Sequence, residues 1–137
     1  MHEPYEKRFK HIADFRVKYR FYTKEEGGRT IVPFQGYRSD FWYEHKATPQ
    51  IPESSLFMIH PEFENELGEI ITNDANSVPA VGTARMWILD PSMRPYHYDK
   101  IINGLKCNFM EGPKRVAECE VIEILGLLTN PHISKIR

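Results

Sequence analysis

DFRVKYRFYTKEEGGRTIVPFQGYRSDFWY, residues 14–43, holds two alternating runs on either side of a charged loop that contains two adjacent glycines. In the first run, residues 15–21, apolar side chains occupy every second position and basic ones lie between them. A period of two residues is typical of a strand with one buried face. The second run, residues 40–46, predicts another strand, in which Trp42 differs in exposure from its neighbours because adjacent side chains point to opposite faces. The stretch therefore predicts two strands joined by a long loop.

Four further short apolar runs predict four more strands, at residues 55–60, 83–89, 105–110 and 115–126. The tight turn EGPK joins the last two. Six short strands with no long helix favour an antiparallel barrel or a sandwich. The predicted organisation is a polar lead-in at 1–13, one β domain at 14–126 with an inserted acidic loop near 61–82, and a C-terminal tail at 127–137.

Bulk composition fits a single domain with a real core, because the chain has 137 residues and 41% of them are hydrophobic. Its formal charge of −1 gives no overall attraction to nucleic acid or to membranes. No apolar run reaches the ~20 residues of a membrane span, and the charged start lacks the apolar stretch of a signal peptide. We therefore expect a cytoplasmic protein. Cys107 and Cys119 are expected to face each other across the last hairpin as two small buried thiols, with a cross-strand disulfide as the alternative.

None of the local motifs indicates catalysis, a metal or a cofactor. The EEGGR segment lacks the lysine and the following helix of a phosphate-binding loop, so no nucleotide is expected. The six histidines show no ligand spacing, and the two cysteines are too far apart in sequence for a zinc clip. The carboxylates of residues 61–69 lie in a predicted solvated loop, whereas a general acid or base needs a desolvated pocket. The sequence predicts a protein without catalytic activity.

The loop and its flanking residues resemble the third, C-terminal domain of translation elongation factor Tu. That family has Thr/Ser-Lys-Glu-Glu-Gly-Gly-Arg, six residues, Gly-Tyr-Arg and then a Phe. Here TKEEGGR (23–29), GYR (36–38) and Phe41 stand at the same spacing. The segment 109–126 is similar to the family's closing hairpin, and 84–91 to a strand that ends in a His-Pro pair.

The resemblance implies an all-β fold, a six-stranded antiparallel closed β-barrel. It also implies a stand-alone binding module without the family's GTPase domain, so GTP hydrolysis does not carry over. The family's third domain helps to hold the backbone of aminoacyl-tRNA. Asp40 replaces a Gln of the family, and Pro113 replaces the second Gly of the closing turn. A carboxylate beside phosphate is repulsive and proline lacks a backbone donor, so both changes weaken RNA contacts.

The main hypothesis is therefore a non-catalytic module that binds a protein partner, with the translation machinery as the class that the resemblance implies. The alternatives are an RNA- or tRNA-binding module that uses the basic loop residues, and an antidote-type inhibitor protein. The candidate binding residues are Lys24, Glu26, Arg29, Arg38, Trp42, Glu111, Gly112, Lys114 and Arg115. Gly27, Gly28 and Gly36 are candidate structural loop residues, and positive φ angles are expected at Gly27 and Gly28.

Overall fold

The computed structural model describes residues 1–133 and is all-β in character. Two short helices, α1 and α2, and one 3₁₀ turn at Pro91–Met93 accompany the strands of this part of the chain. Helix α1 spans Tyr5–Phe9 and α2 spans Arg94–His97. The strands are β1 (Phe15–Phe21), β2 (Asp40–Tyr43), β3 (Ile59–Phe63), β4 (Val81–Ile88), β5 (Lys106–Glu111) and β6 (Lys114–Ile124).

The strands form one antiparallel sheet in the order β2-β5-β6-β1-β4-β3, which curls into a half-barrel. The prediction of six antiparallel strands is confirmed, but the prediction of a closed barrel is wrong. The edge strands β2 and β3 form no ladder with each other. A single bridge between Phe41 and Phe57, with backbone N–H···O distances of 3.0 and 2.8 Å, joins β2 to the segment that precedes β3. A four-residue β2 is too short to continue that pairing.

The core lies on the concave face of the curled sheet. Alternation in β1 buries Phe15, Val17, Tyr19 and Phe21, as the sequence predicts. Four rings from β1, β3 and β5 pack there with centroids 5.2 to 6.4 Å apart, within the range of favourable aromatic contacts. These rings belong to Tyr19, Phe21, Phe63 and Phe109.

The two cysteines lie where the last hairpin was predicted to place them. Cys107 of β5 is directly opposite Cys119 of β6, and both are buried thiols with their Sγ atoms 2.9 Å apart. Burial raises the pKa of the Cys119 thiol, and the neighbouring Cys107 adds to this effect. The prediction of two small buried thiols is confirmed.

The acidic segment 61–82 is not a loop from its first residue. The strand predicted at 55–60 instead runs as β3 from Ile59 to Phe63, and Pro61 lies inside it. An edge strand tolerates proline because only one of its sides carries ladder hydrogen bonds. A short hairpin lies around Leu67 and Gly68, since Glu64 and Ile70 form a bridge across that turn.

The lead-in at 1–13 is more than a polar extension, because its helix packs against the sheet. The carboxylate of Glu62, which is almost fully buried, accepts hydrogen bonds from the backbone N–H of Tyr5 at 2.8 Å and from the indole of Trp87 at 3.0 Å. The Nε2 atom of His2 lies 2.6 Å from the same carboxylate. The contacts of Glu62 thus fix the position of α1.

Helix α2 lies in the connection between β4 and β5. Arg94 begins the helix, and its guanidinium is buried against Asp14, with Nε donating to Oδ1 at 2.7 Å. The C-terminal tail contacts this ion pair, because the side-chain amide of Asn130 also donates to Asp14, at 2.9 Å. Leu127 is fully buried. Residues 134–137 of the predicted tail lie outside the described residues.

None of the helices within residues 1–133 has the length and apolar character of a membrane-crossing segment.

Candidate functional site

The loop after β1 begins with a compact turn over residues 23–28. The backbone N–H groups of Glu26 and Gly28 both donate to the carbonyl of Thr23, at 3.0 and 2.8 Å. The carboxylate of Glu26 folds back to accept from Arg20 at 2.8 Å and from the Thr23 N–H at 2.8 Å. These hydrogen bonds, that of Arg20 first, lower the pKa of Glu26 to about 2. Glu26, which was predicted as a binding residue, is therefore held inside its own turn.

The adjacent glycines of this turn serve different purposes. Gly27 has a φ of 90°, a left-handed conformation that favours glycine, as predicted. The same prediction for Gly28 is wrong, because its φ is not positive. A Cβ atom at Gly28 would lie 2.2 Å from the carbonyl oxygen of Tyr22, so close approach of two backbones requires glycine there. Gly36, with a φ of 96°, again supplies a left-handed turn.

Further along the loop, the side chains of Arg29 and Tyr37 form a polar cluster with Glu111 of β5. Arg29 pairs with the Glu111 carboxylate, and the Tyr37 hydroxyl donates to the same oxygen. The guanidinium of Arg29 also lies 5.1 Å from the centroid of the Tyr37 ring. Burial alone would raise the pKa of Glu111, but the hydrogen bonds from Tyr37 and Arg29 outweigh it and hold the pKa below its usual range. The cluster fastens the loop to the β5–β6 turn, where Gly112 has a φ of 56°.

Beside this cluster, an arginine stacks on an indole. Trp42 is half-buried while Phe41 and Tyr43 are fully buried, so the predicted difference in exposure along β2 is confirmed. The guanidinium of Arg115 lies 5.2 Å from the centroid of the Trp42 ring, a cation–π arrangement. On its other side the indole Nε1 donates to the backbone carbonyl of Glu53 at 2.8 Å. Both contacts hold the Trp42 ring in one orientation.

Two lysines flank these groups without an ionic partner. The N–H of Tyr22 donates to the carbonyl of Val116 at 2.9 Å, which places the turn that carries Lys24 beside the start of β6. Lys114 is the first residue of β6 and lies opposite Glu111. Lys24, Lys114 and Arg115 form no ion pair with any residue in the described range 1–133. Their charges are available to a partner.

Arg38 is not part of this group. It is exposed and makes no hydrogen bond within the described part of the chain. Burial first, and the charge of Arg38 second, lower the pKa of His60, which places Arg38 on the side of β3. Among the predicted binding residues, the structure thus brings Arg29 to Glu111 and Arg115 to Trp42, with Gly112 and Lys114 in the same β5–β6 hairpin.

The sequence did not identify the apolar part of this surface. Ile31 and Phe34 are 64% and 49% exposed. They line a shallow cleft of about 440 Å³ together with Arg29, Val32, Pro33 and Tyr37. The apolar run TIVPF inside a charged loop was the available signal. The term "rim surface" is used below for Lys24, Arg29, Ile31, Phe34, Tyr37, Trp42, Glu111, Gly112, Lys114 and Arg115.

Comparisons with protein-family models and with curated proteins gave no match to this chain. Within residues 1–133, no three His, Cys, Asp or Glu side chains come together in a way that could hold a metal ion.

Proposed function

We propose that the protein is a non-catalytic binding module whose rim surface engages a protein partner that presents carboxylates. One observation carries the proposal: exposed apolar side chains, Ile31 and Phe34, share a cleft with Arg29, whose guanidinium lies over the Tyr37 ring. Exposed apolar groups rimmed by polar ones are typical of protein interaction sites.

The residue types support the same proposal. Trp, Tyr and Arg dominate the binding energy of protein interfaces, and Trp42, Tyr37 and Arg115 are available here. Stacking on Trp42 already restricts the Arg115 guanidinium, so binding would lose less side-chain entropy. An acidic partner would supply the carboxylates that Lys24, Lys114 and Arg115 lack. Electrostatic complementarity of this kind accelerates association and selects the partner.

An RNA partner is less well supported by the same residues. Exposed Ile31 and Phe34 offer little to phosphate, and Asp40 would repel it. Arg20, which lies nearby on β1, is already occupied by Glu26 and Glu118.

We propose further that the fold is related to the third domain of elongation factor Tu, on the residues quoted from 23–41 and 109–126. A partner from the translation machinery follows from that relation. The antidote-type role stays a special case of the same proposal, in which the partner would be a toxic protein.

The test uses affinity capture with four variants. Phe34→Asp and Arg115→Glu alter the rim surface, whereas Ile102→Asp and Lys7→Glu are matched controls. Ile102 is 56% exposed, close to the 49% of Phe34, and lies outside the rim surface. Lys7 is an exposed cation whose partner is Glu3 at 3.8 Å. Circular dichroism would first establish that each variant is folded.

The proposal is supported if a protein is captured by the wild type and by both controls but not by either rim variant. The captured protein should then bind the purified chain directly. A residue in the centre of an interface costs at least about 2 kcal/mol, which weakens the Kd roughly 30-fold. No difference between rim variants and controls would overturn the proposal. Binding of tRNA would instead assign the rim surface to RNA recognition, if the logarithm of the binding constant falls with the logarithm of salt concentration by about 0.7 to 0.9 per phosphate contact.

A further inference from the structure

The backbone behind the apolar part of the rim surface is already hydrogen-bonded within the chain. Each carbonyl of residues 31–34 accepts from a neighbouring donor. The donors, at 3.0, 2.7, 2.9 and 3.2 Å in the order of the carbonyls, are Arg29 Nε, the Ser77 hydroxyl, the Val78 N–H and the Tyr37 N–H. This wall of the cleft therefore presents chiefly the side chains of Ile31 and Phe34 to a partner.

Gln35 lines the same cleft, and its amide is engaged with the sheet. Its Nε2 donates to the carbonyls of Phe63 at 2.9 Å and Ile71 at 2.8 Å, and its Oε1 accepts from the Phe63 N–H at 2.9 Å. Because a carbonyl only accepts and an N–H only donates, these contacts fix the orientation of the amide. The cleft is thus held in one shape by β3, which lowers the ordering cost of binding there.

Arg29 is the polar exception at the edge of this cleft. Its Nε donates to the carbonyl of Ile31 and its Nη1 pairs with Glu111. The third nitrogen, Nη2, forms no hydrogen bond with any group among residues 1–133. The side chain of Arg29 is 32% exposed, and Nη2 is not one of the solvent-shielded polar atoms that lack a partner. A charged donor in contact with solvent therefore lies beside the apolar wall.

The charges around this donor favour an anion. The carboxylate of Glu111 faces two cations, because Lys114 also acts on it and helps to keep its pKa low. Two positive charges against one negative charge leave room for a second carboxylate, whereas a cation would be repelled. A guanidinium binds carboxylates through strong charge-assisted hydrogen bonds.

The volume of the cleft, about 440 Å³, is sufficient for one large apolar side chain. A cavity of about 150 Å³ in another protein is enough to hold benzene.

We propose that the cleft receives an apolar side chain of the protein partner, and that Arg29 Nη2 binds the carboxylate of an Asp or Glu next to it in the partner's sequence. This inference rests on the proposed function of the rim surface and specifies what the partner presents there.

The test uses three short peptides with blocked ends: acetyl-Phe-Glu-amide, acetyl-Phe-Gln-amide and acetyl-Ala-Glu-amide. The first two have nearly equal shape and differ in charge, whereas the third lacks the large apolar side chain. Affinities would be measured from amide chemical shifts of ¹⁵N-labelled protein.

An exposed charge pair strengthens binding by about 1.4- to 5-fold. The Glu peptide should therefore bind about threefold more tightly than the Gln peptide, and this preference should vanish in ~1 M salt. Partial burial of a Phe side chain should make acetyl-Phe-Glu-amide bind about fivefold more tightly than acetyl-Ala-Glu-amide. The shift changes should lie in residues 29–37.

Two variants alter the cleft and one serves as a control. Arg29→Gln should remove the preference for the Glu peptide. Ile31→Glu places a carboxylate on the wall and should weaken acetyl-Phe-Glu-amide most; Ile31 is 64% exposed, so this variant remains informative if Arg29→Gln fails to fold. Ile102→Glu, at a 56% exposed position outside the cleft, should bind all three peptides as wild type does.

Equal affinities of wild type for the Glu and Gln peptides, unchanged binding in Ile31→Glu, or no binding up to the solubility limit would overturn the inference. Tighter binding of adenosine monophosphate than of acetyl-Phe-Glu-amide in the cleft would overturn it as well. The peptides are measured without the partner. A rim surface that captures a partner but does not distinguish these peptides would therefore overturn this inference and leave the proposed function standing.

Discussion

Replacing Arg94 with methionine removes one half of an ion pair that is shielded from water. The side chains of Arg94 and Asp14 are 2% and 0% exposed. Besides Asp14, the guanidinium donates to the carbonyl of Ile88 at 3.1 Å and to that of Pro131. Methionine has a similar length and fills the volume, so the change removes charge and hydrogen bonds more than it removes packing.

The magnitude follows from what Asp14 retains. Removal of one partner from a buried ion pair costs about 3–5 kcal/mol, because the other charge stays buried without compensation. Asp14 still accepts from the Ile88 N–H at 2.8 Å and from Asn130 at 2.9 Å, which favours the lower end of that range. The carbonyls of Ile88 and Pro131 each lose a donor. We therefore expect a loss of about 3 kcal/mol from a total of about 5–15 kcal/mol.

Urea unfolding followed by tryptophan fluorescence would measure this loss, since Trp87 is buried near β1. The midpoint should fall while the m-value stays constant. Arg20→Met is the control: it breaks exposed ion pairs with Glu26 and Glu118, which solvent screens, so its midpoint should change far less. A loss below about 1 kcal/mol for Arg94→Met would refute the reasoning, because a pair so buried should not be dispensable.

Gly28→Ala should lower the melting temperature by more than about 5 °C, since its Cβ would lie 2.2 Å from the Tyr22 carbonyl oxygen; an unchanged thermal transition would contradict this. Another prediction concerns the pH dependence of stability at Glu64. Burial alone would raise the pKa of the Glu64 carboxyl, but hydrogen bonds from Arg16, Thr83 and Arg85 hold this pKa below its ordinary value of 4.5. A lowered pKa in the folded state adds stability above pH 4.5 that is lost as the pH falls through the folded value. The Glu64→Gln variant should therefore be less stable than wild type at pH 7 and should lose less stability as the pH falls below 4.5. Urea midpoints of the variant that fall as steeply as those of wild type over this pH range would contradict the prediction.

Local patterns were enough to predict most of the strands but not how the sheet ends. The alternation in residues 15–21 predicts β1 because burial of one face is a property of the strand itself. Pro61 shifted the predicted bounds of β3, since a sequence does not show that a strand lies at an edge where proline is tolerated. Closure depends on whether β2 and β3 meet over several residues. That is a matter of strand tilt and length across the whole sheet, which no single segment contains.

The candidate sites depend on contacts between distant positions. Arg29 and Glu111 are 82 residues apart, and Gln35 and Phe63 are 28 apart. Motif spacing detects only ligands that are neighbours on one helix or strand, so it could not pair them. The resemblance in residues 23–41 selected the loop that carries Arg29, Ile31 and Phe34. It could not find the free Nη2 of Arg29, because an unpartnered nitrogen is a property of the folded environment.

The short strand β2 links the rim surface to the core, and this decides which variants are informative. Trp42 faces outward to the rim surface, whereas Tyr43 faces inward to His97. Trp42 also donates to the carbonyl of Glu53, and the same segment is joined to β2 by the bridge between Phe41 and Phe57. A truncation of Trp42 would therefore disturb both the rim surface and the attachment of this segment to the sheet. Arg115→Glu leaves the Trp42–Glu53 hydrogen bond in place, so loss of a partner with an unchanged urea midpoint would assign the loss to the rim surface and not to the fold.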